Sequence, residues 1–103
     1  MNVILVEEPN KLENEETVLR EPGSYKVHLH NDDFTPIGFV MEVLNKFFNM
    51  DIKKAKTITL EAHTKGRAVC GEYSKEVAET RIEQGSEYAR MHDHPLKWSM
   101  EGI

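Results

Sequence analysis

The chain has 103 residues, of which 18 are acidic and 13 are Lys or Arg, giving a formal net charge of −5. This length allows one domain with a single modest hydrophobic core. The negative charge argues against nucleic-acid binding, which requires a basic face for the phosphates. The sequence contains neither a membrane-spanning apolar run nor a signal-peptide pattern, so we expect a cytoplasmic protein.

The one cysteine, Cys70, has no partner for a disulfide within the chain. It lies between Val69 and Gly71 in an apolar stretch, with no His or Lys beside it to stabilise a thiolate. We therefore expect Cys70 to be a small buried apolar side chain in a reducing compartment.

The N-terminal segment carries most of the net charge. Residues 1–22 contain six glutamates against Lys11 and Arg20, a net −4, which leaves 12 acidic and 11 basic residues, a net −1, in the rest of the chain. The segment has two prolines and no period that would bury one face, as is typical of a flexible chain. We predict a flexible acidic extension over residues 1–23 and a folded domain over residues 24–103. The apolar start of the extension, residues 3–6, also fits a short strand or a ligand for a larger partner.

Apolar and polar side chains alternate over residues 25–30, which predicts a strand with one buried face. His28 and His30 fall on its polar face. Two imidazoles without a cysteine are too few for a closed zinc site. We therefore expect both histidines on a solvated strand face.

Two helices are predicted to follow. The first opens at Thr35-Pro36, where Thr35 suits the cap and Pro36 the first helical position. Its apolar residues recur every three or four positions and form the largest hydrophobic face in the chain, at Ile37, Val40, Met41, Val43, Leu44, Phe47 and Phe48. Asp51 caps the second helix, and Gly66 ends it. The inward-facing residues of the second helix are predicted to be Ile52, Ala55, Ile58 and Ala62.

The rest of the chain predicts a strand over residues 67–73, a helix from its cap Ser74 to about Met91, and a strand over residues 96–101. Gly85 in the helix allows a close approach to a neighbouring element. The segment 92–94, His-Asp-His, has metal-binding side chains, but a helix C-terminus favours histidine in any case.

The order β-α-α-β-α-β predicts an α+β fold. Three short strands need their apolar faces covered by the three helices. We expect a three-stranded, mainly antiparallel sheet packed against three helices, with a strand order that the pattern does not give.

Hydrogen-bond acceptors are concentrated in residues 30–36, between the first strand and the first helix. Turn and capping preferences alone would explain these residues. However, His63, one helical turn after Thr59, joins Asn31 and Asp32 if the first two helices pack side by side. Acceptors beside apolar helix residues suit a ligand with an ammonium group next to a hydrophobic side chain.

Enzymatic functions find little support in the sequence. It has no Ser or Cys nucleophile paired with a base at a recognisable spacing, no glycine-rich phosphate loop and no zinc signature. Asp32 and His63 would form an acid–base couple, but nothing supplies an electrophile or an oxyanion hole. We expect a protein that is not an enzyme and has no catalytic residues, metal or cofactor.

Several short motifs occur together in a characteristic order and spacing. They are Tyr25-Lys26-Val27, Asn31-Asp32-Asp33-Phe34-Thr35-Pro36, Val43-Leu44, Lys46-Phe47-Phe48, His63 with Gly66, Ala68 to Gly71, Glu76-Val77-Ala78-Glu79-Thr80, Tyr88-Ala89-Arg90 and His94-Pro95-Leu96. Each is weak alone, but as a set they make the chain resemble the ClpS adaptor family over about residues 24–101. The fold of that family is similar to the C-terminal domain of the ribosomal stalk protein.

The resemblance implies an adaptor (N-recognin) of the bacterial N-end rule pathway. Such an adaptor captures proteins whose first residue is Leu, Phe, Tyr or Trp and delivers them to the AAA+ unfoldase of the ClpA–ClpP protease. By position, Asn31, Asp32 and His63 would hold the free α-amino group. The first side chain would enter a hydrophobic pocket lined by Thr35, Pro36, Ile37, Val40, Thr59, Ala62 and Leu96.

The partner implied by the resemblance is the N-terminal domain of the unfoldase, with substrate proteins as the other partner and no nucleic acid or membrane. We expect a monomer. By position, Glu76 and Arg81 on the third helix would dock on that domain, with Arg81 in place of the more usual Lys; the alternative is an ordinary solvated helix face. The N-terminal arm of the family engages the translocation channel of the unfoldase, but this arm supplies no matching motif.

Three positions depart from the family pattern. Ile37 stands where Met is frequent, Thr59 where a Met commonly lines the pocket, and Ala62 where Val is common. These departures affect the breadth and polarity of the pocket, and hence the preference among Leu, Phe, Tyr and Trp, while amine recognition is unaffected.

Two other classes of function compete with the adaptor. One is a generic protein-interaction module of stalk-like fold without α-amine recognition, and the other is a small metal-dependent enzyme. Dependence on the α-amine of the ligand separates the first from the adaptor, and metal content tests the second.

Overall fold

The structure, a computed structural model, describes residues 23–103. Its elements are β1 (Ser24–His30), α1 (Ile37–Phe47), α2 (Ile52–Lys65), β2 (Arg67–Ser74), α3 (Lys75–Met91) and β3 (Lys97–Gly102). This order confirms the predicted α+β succession. The predicted flexible extension lies, apart from Gly23, outside the described residues. No helix of the described part is both long enough and apolar enough to cross a membrane.

The sheet has the order β2-β1-β3, and both pairings are antiparallel. Leu29 of β1 lies opposite Ala68 on one side and Trp98 on the other. The register of β1 and β2 shifts between Val27 and His28, so that β2 carries an extra residue there, as in a β-bulge. The first strand of the chain is therefore the central strand of the sheet.

The expectation of a solvated strand face is wrong for His28. This side chain is only 4% exposed, and its Nε2 lies 2.8 Å from Glu101 Oε1. The hydrogen bond from His28 lowers the pKa of Glu101 from its ordinary value. The physical reason is topological, because a residue of the central strand has neighbours on both sides. His30, half-buried, has its Nε2 2.7 Å from Ser99 Oγ.

Helices α2 and α3 begin and end at the predicted signals. The Asp51 carboxylate accepts a hydrogen bond from the Lys54 N–H at 2.8 Å, and the Ser74 hydroxyl accepts one from the Val77 N–H. Gly66 ends α2 with φ of 95°, a left-handed conformation that glycine adopts at little cost.

The start of α1 differs from the prediction. Pro36, not Thr35, is the N-cap residue, and no side chain caps the helix. Thr35 Oγ1 instead donates to Asp32 Oδ2 at 2.7 Å, so its hydroxyl belongs to the turn that precedes the helix. At the other end, Asn49, just after the C-cap residue Phe48, takes a left-handed conformation with φ of 56°, which ends the helix.

The core forms between the helices and one face of the sheet. Its largest fully buried side chains are Val27 and Leu29 from β1 with Val43 and Leu44 from α1, so the apolar face predicted for the first helix does contribute to the core. The expectation that Ile52 faces inward is wrong: as the first residue of α2 it is 56% exposed. Cys70 is buried, as predicted, and burial raises the pKa of its thiol to about 12.

Gly85 marks a close contact between α3 and the rest of the core. A Cβ at this position would lie 3.2 Å from Trp98 Cζ2 and 3.3 Å from Val43 Cγ1. The glycine thus allows α3 to approach β3 and α1, as the sequence predicted.

Candidate functional site

A pocket of about 190 Å³ opens where the turn after β1 meets α1 and α2. It brings together all three residues predicted to hold an amine and six of the seven predicted for the hydrophobic pocket. The lining residues are Leu29, His30, Asn31, Asp32, Asp33, Thr35, Ile37, Val40, Thr59, Ala62, His63 and Leu96. Pro36 does not line the pocket; its carbonyl accepts the first hydrogen bonds of α1.

The pairing of β1 with β2 explains why distant parts of the sequence meet here. His30, the last residue of β1, lies opposite Arg67, the first residue of β2. One residue further, the Asn31 N–H donates to the Gly66 carbonyl at 3.0 Å. Because Gly66 ends the helix that carries His63, the acceptor-rich turn is held beside the last turn of α2.

Asp32 is fixed by its own turn. Its Oδ1 accepts from the Phe34 N–H at 2.7 Å and from the Thr35 N–H at 2.9 Å, while Oδ2 accepts from the Thr35 hydroxyl. A carboxylate offers about four lone-pair positions, so roughly one position on Oδ2 remains for an external donor. The turn therefore presents a pre-oriented anionic acceptor.

The inner wall of the pocket is largely apolar. Val40, Ala62 and Leu96 are all buried and contribute aliphatic surface, whereas Ile37 is partly exposed at the rim. His63, which is exposed, adds an imidazole near the acceptors. The site thus joins hydrogen-bond acceptors at its mouth to a hydrophobic interior, and both halves suit a ligand with an ammonium group beside an apolar side chain.

Sequence reasoning missed Leu29, His30 and Asp33 as lining residues. Leu29 reads as an ordinary core residue of a strand, and His30 reads as an outer-face residue. Asp33 belongs to the acceptor-rich segment, so its position in the motif was a signal that could have found it.

The histidine pairs do not form a metal cluster. Within residues 23–103, no group of three or more His, Cys, Asp or Glu side chains is arranged to hold a metal ion. The rings of His28 and His30 are 6.5 Å apart. His92 and His94 pack on the ring of Phe39, with centroid distances of 5.4 and 4.4 Å.

The residues predicted for docking, Glu76 and Arg81, line a shallow groove on α3 and the end of α1. Glu76 is exposed. Arg81 is half-buried: its Nη1 donates to the Phe47 carbonyl at 3.2 Å, and its guanidinium lies 5.1 Å from the ring centre of Tyr73. Arg81 thus satisfies a carbonyl at the C-terminus of α1. The groove shares no lining residue with the pocket.

The fold and the pocket define a small α+β binding domain. Comparison with known proteins gives the family: the model described as ATP-dependent Clp protease adaptor protein ClpS matches residues 20–99. Two relatives are named ATP-dependent Clp protease adapter protein ClpS. The one from Vibrio atlanticus is 47% identical to this chain, and the one from Hydrogenovibrio crunogenus is 50% identical. Each alignment spans 92 residues, or 89% of this chain, and covers 87% and 88% of the two relatives. The chain therefore belongs to the ClpS family of Clp protease adaptors, which confirms the resemblance seen in its motifs.

A solved structure, that of Agrobacterium tumefaciens ClpS2 bound to L-phenylalaninamide, has the same fold. It is 32% identical in sequence and superposes with a TM-score of 0.77, covering 81% of this chain and 100% of the other. The ligand named for that protein carries a free α-amino group beside an aromatic side chain.

Proposed function

We propose that this protein is a non-enzymatic adaptor that binds the N-terminal residue of substrate proteins and delivers them to the AAA+ unfoldase of a ClpA–ClpP-type protease in the cytoplasm. Its substrates begin with Leu, Phe, Tyr or Trp. The observation that carries the proposal is the junction of amine acceptors with an apolar pocket, at Asn31, Asp32 and His63 on one side and Val40 and Leu96 on the other.

In this proposal the hydrogen-bond acceptors bind the free α-amino group. The Asp32 carboxylate supplies the negative charge, while the Asn31 carbonyl oxygen and a neutral nitrogen of His63 accept the remaining ammonium hydrogens, directly or through water. Acetylation of the substrate removes the positive charge and two donors. An acetylated or internal residue is therefore rejected.

The apolar pocket binds the side chain of the first residue of the substrate. Burying a Leu or Phe side chain contributes roughly 1.5–3 kcal/mol, and a hydrogen bond to a charged group contributes about the same. Neither half alone gives useful affinity, so recognition requires both. The L-phenylalaninamide bound by the Agrobacterium tumefaciens relative combines the same two groups, which supports the proposal.

Delivery requires a second surface. We assign it to the groove on α3 and the end of α1, with Glu76 and Arg81 as the residues that contact the N-terminal domain of the unfoldase. Because this groove shares no residue with the pocket, a monomeric adaptor can hold substrate and unfoldase at once.

Fluorescence-anisotropy titration with two short peptides that begin with Phe tests the proposal. One peptide has a free amino terminus and the other is acetylated. We expect only the free peptide to bind. Equal binding of both peptides would instead support a generic interaction module, and binding of neither would remove the substrate-capture role of Asn31, Asp32 and His63.

Delivery is tested separately by the degradation rate of a reporter protein with an N-terminal Phe. The measurement uses a ClpA–ClpP protease with and without this protein. We expect degradation to require the adaptor, and a reporter with an N-terminal Ser serves as the control.

A further inference from the structure

Thr59 carries a buried hydroxyl group without a hydrogen-bond partner. The residue is 4% exposed, and its Oγ1 makes no hydrogen bond to another described residue. An unsatisfied buried hydroxyl is costly, and such a group in a native structure calls for an explanation.

The other threonines of α2 show the usual solution. Thr57 Oγ1 donates to the Lys53 carbonyl at 3.1 Å, and Thr64 Oγ1 donates to the Leu60 carbonyl at 3.0 Å. This bond to the preceding helical turn is the common arrangement of threonine in helices. Thr59 does not make it, although it lies in the same helix.

The location of Thr59 points to a ligand. Three buried side-chain polar atoms of the described residues have no partner, on His28, Thr59 and Trp98, and of these residues only Thr59 lines the pocket. It precedes His63 by four residues, which is about 6 Å along a helix axis. An aromatic side chain spans a comparable length, so one whose α-amine lies near His63 and which runs along α2 would end near Thr59.

We propose that Thr59 reads a polar group at the far end of the first side chain, so that this pocket selects tyrosine over phenylalanine at the substrate N-terminus. The inference rests on the proposed function and names its substrate preference. A phenol both donates and accepts a hydrogen bond, and so does a threonine hydroxyl. Rotation about χ1, which has two common values for threonine in a helix, turns the hydroxyl toward such a ligand.

A first residue of Phe or Leu excludes water from the pocket and offers the Thr59 hydroxyl no hydrogen-bond partner. Sites built around a buried polar group discriminate against ligands that lack its partner. Ala62, on the same wall, adds little bulk, which leaves room for the additional oxygen of tyrosine.

The test compares two free-amine peptides that differ only in their first residue, Tyr or Phe, by anisotropy competition against the intact protein and two variants. In the intact protein we expect the Tyr peptide to bind about fivefold more tightly, as for one net hydrogen bond. Thr59→Val, which replaces the hydroxyl by a methyl group, should reduce this ratio to about one. Thr57→Val, in the same helix but with its hydroxyl bonded to Lys53, should leave the ratio unchanged.

Thr59→Ser retains the hydroxyl and should keep the preference for Tyr, which provides a second measurement if the valine variant does not fold. Equal binding of Tyr and Phe by the intact protein would overturn the inference while the proposed function stood. A ratio that is the same in the Thr59→Val variant would also overturn it. If neither free-amine peptide bound, the proposed function and the inference would both fail.

Discussion

The hydroxyl of Thr35 donates to Oδ2 of Asp32 at 2.7 Å, and the backbone N–H of Thr35 donates to Oδ1 of the same carboxylate at 2.9 Å. Thr35 thus contacts both oxygens of the only carboxylate assigned to the amine. From the sequence it was expected to cap α1 and to line the pocket. In the structure its polar group orients Asp32.

The Thr35→Val variant removes the hydroxyl and keeps the backbone bond. We expect about a fivefold loss of affinity for a peptide with a free N-terminal Phe, because Asp32 loses one of three orienting hydrogen bonds. The loss of folding stability should be about 1 kcal/mol. Thr35→Ser should bind like the intact protein, and equal binding by Thr35→Val would show that the hydroxyl has no positioning role.

Alanine variants of Asp32 and His63 should both lose peptide affinity but should differ in folding stability. Asp32→Ala removes the acceptor of three local hydrogen bonds, so we expect it to lose peptide binding and about 1–2 kcal/mol of stability. His63→Ala, at an exposed position of α2, should lose binding with the melting temperature nearly unchanged. Calorimetry and anisotropy on the same samples measure both quantities. A His63→Ala variant with full affinity would contradict the assigned role of the imidazole.

Gly85→Ala and Gly38→Ala should have opposite effects on stability. A methyl group at Gly85 meets Trp98 and Val43 at 3.2 and 3.3 Å, and Val43 is fully buried in the core. The free-energy cost of overpacking, about 1–3 kcal/mol, outweighs the stabilisation of about 1 kcal/mol from higher helix propensity. Gly85→Ala should therefore be destabilising. A methyl group at Gly38 of α1 meets nothing within 4 Å and should stabilise the protein by about 0.5–1 kcal/mol. Urea denaturation compares the two, and a stabilised Gly85→Ala variant would contradict the close packing of α3.

Cys70 should resist alkylation in the folded protein. Burial raises the pKa of its thiol from 9.0 to about 12, and only the thiolate reacts. Iodoacetamide at pH 8 should therefore modify the protein rapidly in urea and very slowly without it, as followed by mass spectrometry. Rapid modification of the native protein would show that Cys70 is accessible and ionised.

The raised pKa of the Cys70 thiol should make the folding stability fall as the pH becomes alkaline. Because the folded-state pKa is higher than the unfolded one, the contribution is complete below about pH 9 and is lost as the pH rises toward 12. We expect thermal denaturation of the intact protein to show a larger drop between pH 8 and pH 11 than denaturation of Cys70→Ala. Burial also raises the pKa of Tyr73, and comparison with Cys70→Ala isolates the thiol. Identical pH profiles would contradict the prediction.

Charge reversal should locate the docking surface. Glu76→Lys alters an exposed residue of the groove on α3, and we expect it to weaken binding to the N-terminal domain of the unfoldase while leaving peptide affinity unchanged. Glu79→Lys on the same helix makes the same charge change outside the lining of the groove and is the matched control. Arg81 is a poorer probe, because it also bonds to the carbonyl of Phe47. Equal effects of Glu76→Lys and Glu79→Lys would indicate a general charge effect.

Local signals in the sequence predicted most of the fold. The helix boundaries at Asp51, Gly66 and Ser74 follow from capping chemistry that acts within a few residues. The close approach at Gly85 was likewise visible, since a glycine inside a helix needs a reason. The cluster of Asn31, Asp32 and His63 was predicted from the acceptor-rich turn and from family motifs, and these residues do line one pocket.

What the sequence did not predict depends on contacts between distant elements. The central place of β1 in the sheet is decided by pairing with β2 and β3, and it buries His28, which the alternating pattern had placed in solvent. Thr35 was expected to cap α1, but the N-cap residue is Pro36 and the Thr35 hydroxyl donates to Asp32 within the turn. Whether the Thr59 hydroxyl finds a hydrogen-bond partner depends on its side-chain conformation, which residue spacing does not determine.

The hydrogen bond from the Asn31 N–H to the Gly66 carbonyl has a kinetic consequence. It holds the turn beside the end of α2, so the groups proposed to bind the amine keep their relative positions before a peptide binds. A receptor of this kind has little ordering to do when its ligand arrives. Peptides with different first residues should therefore associate at similar rates and differ mainly in how long they stay bound, so that, under the proposed function, the lifetime of the complex would set the time available for delivery.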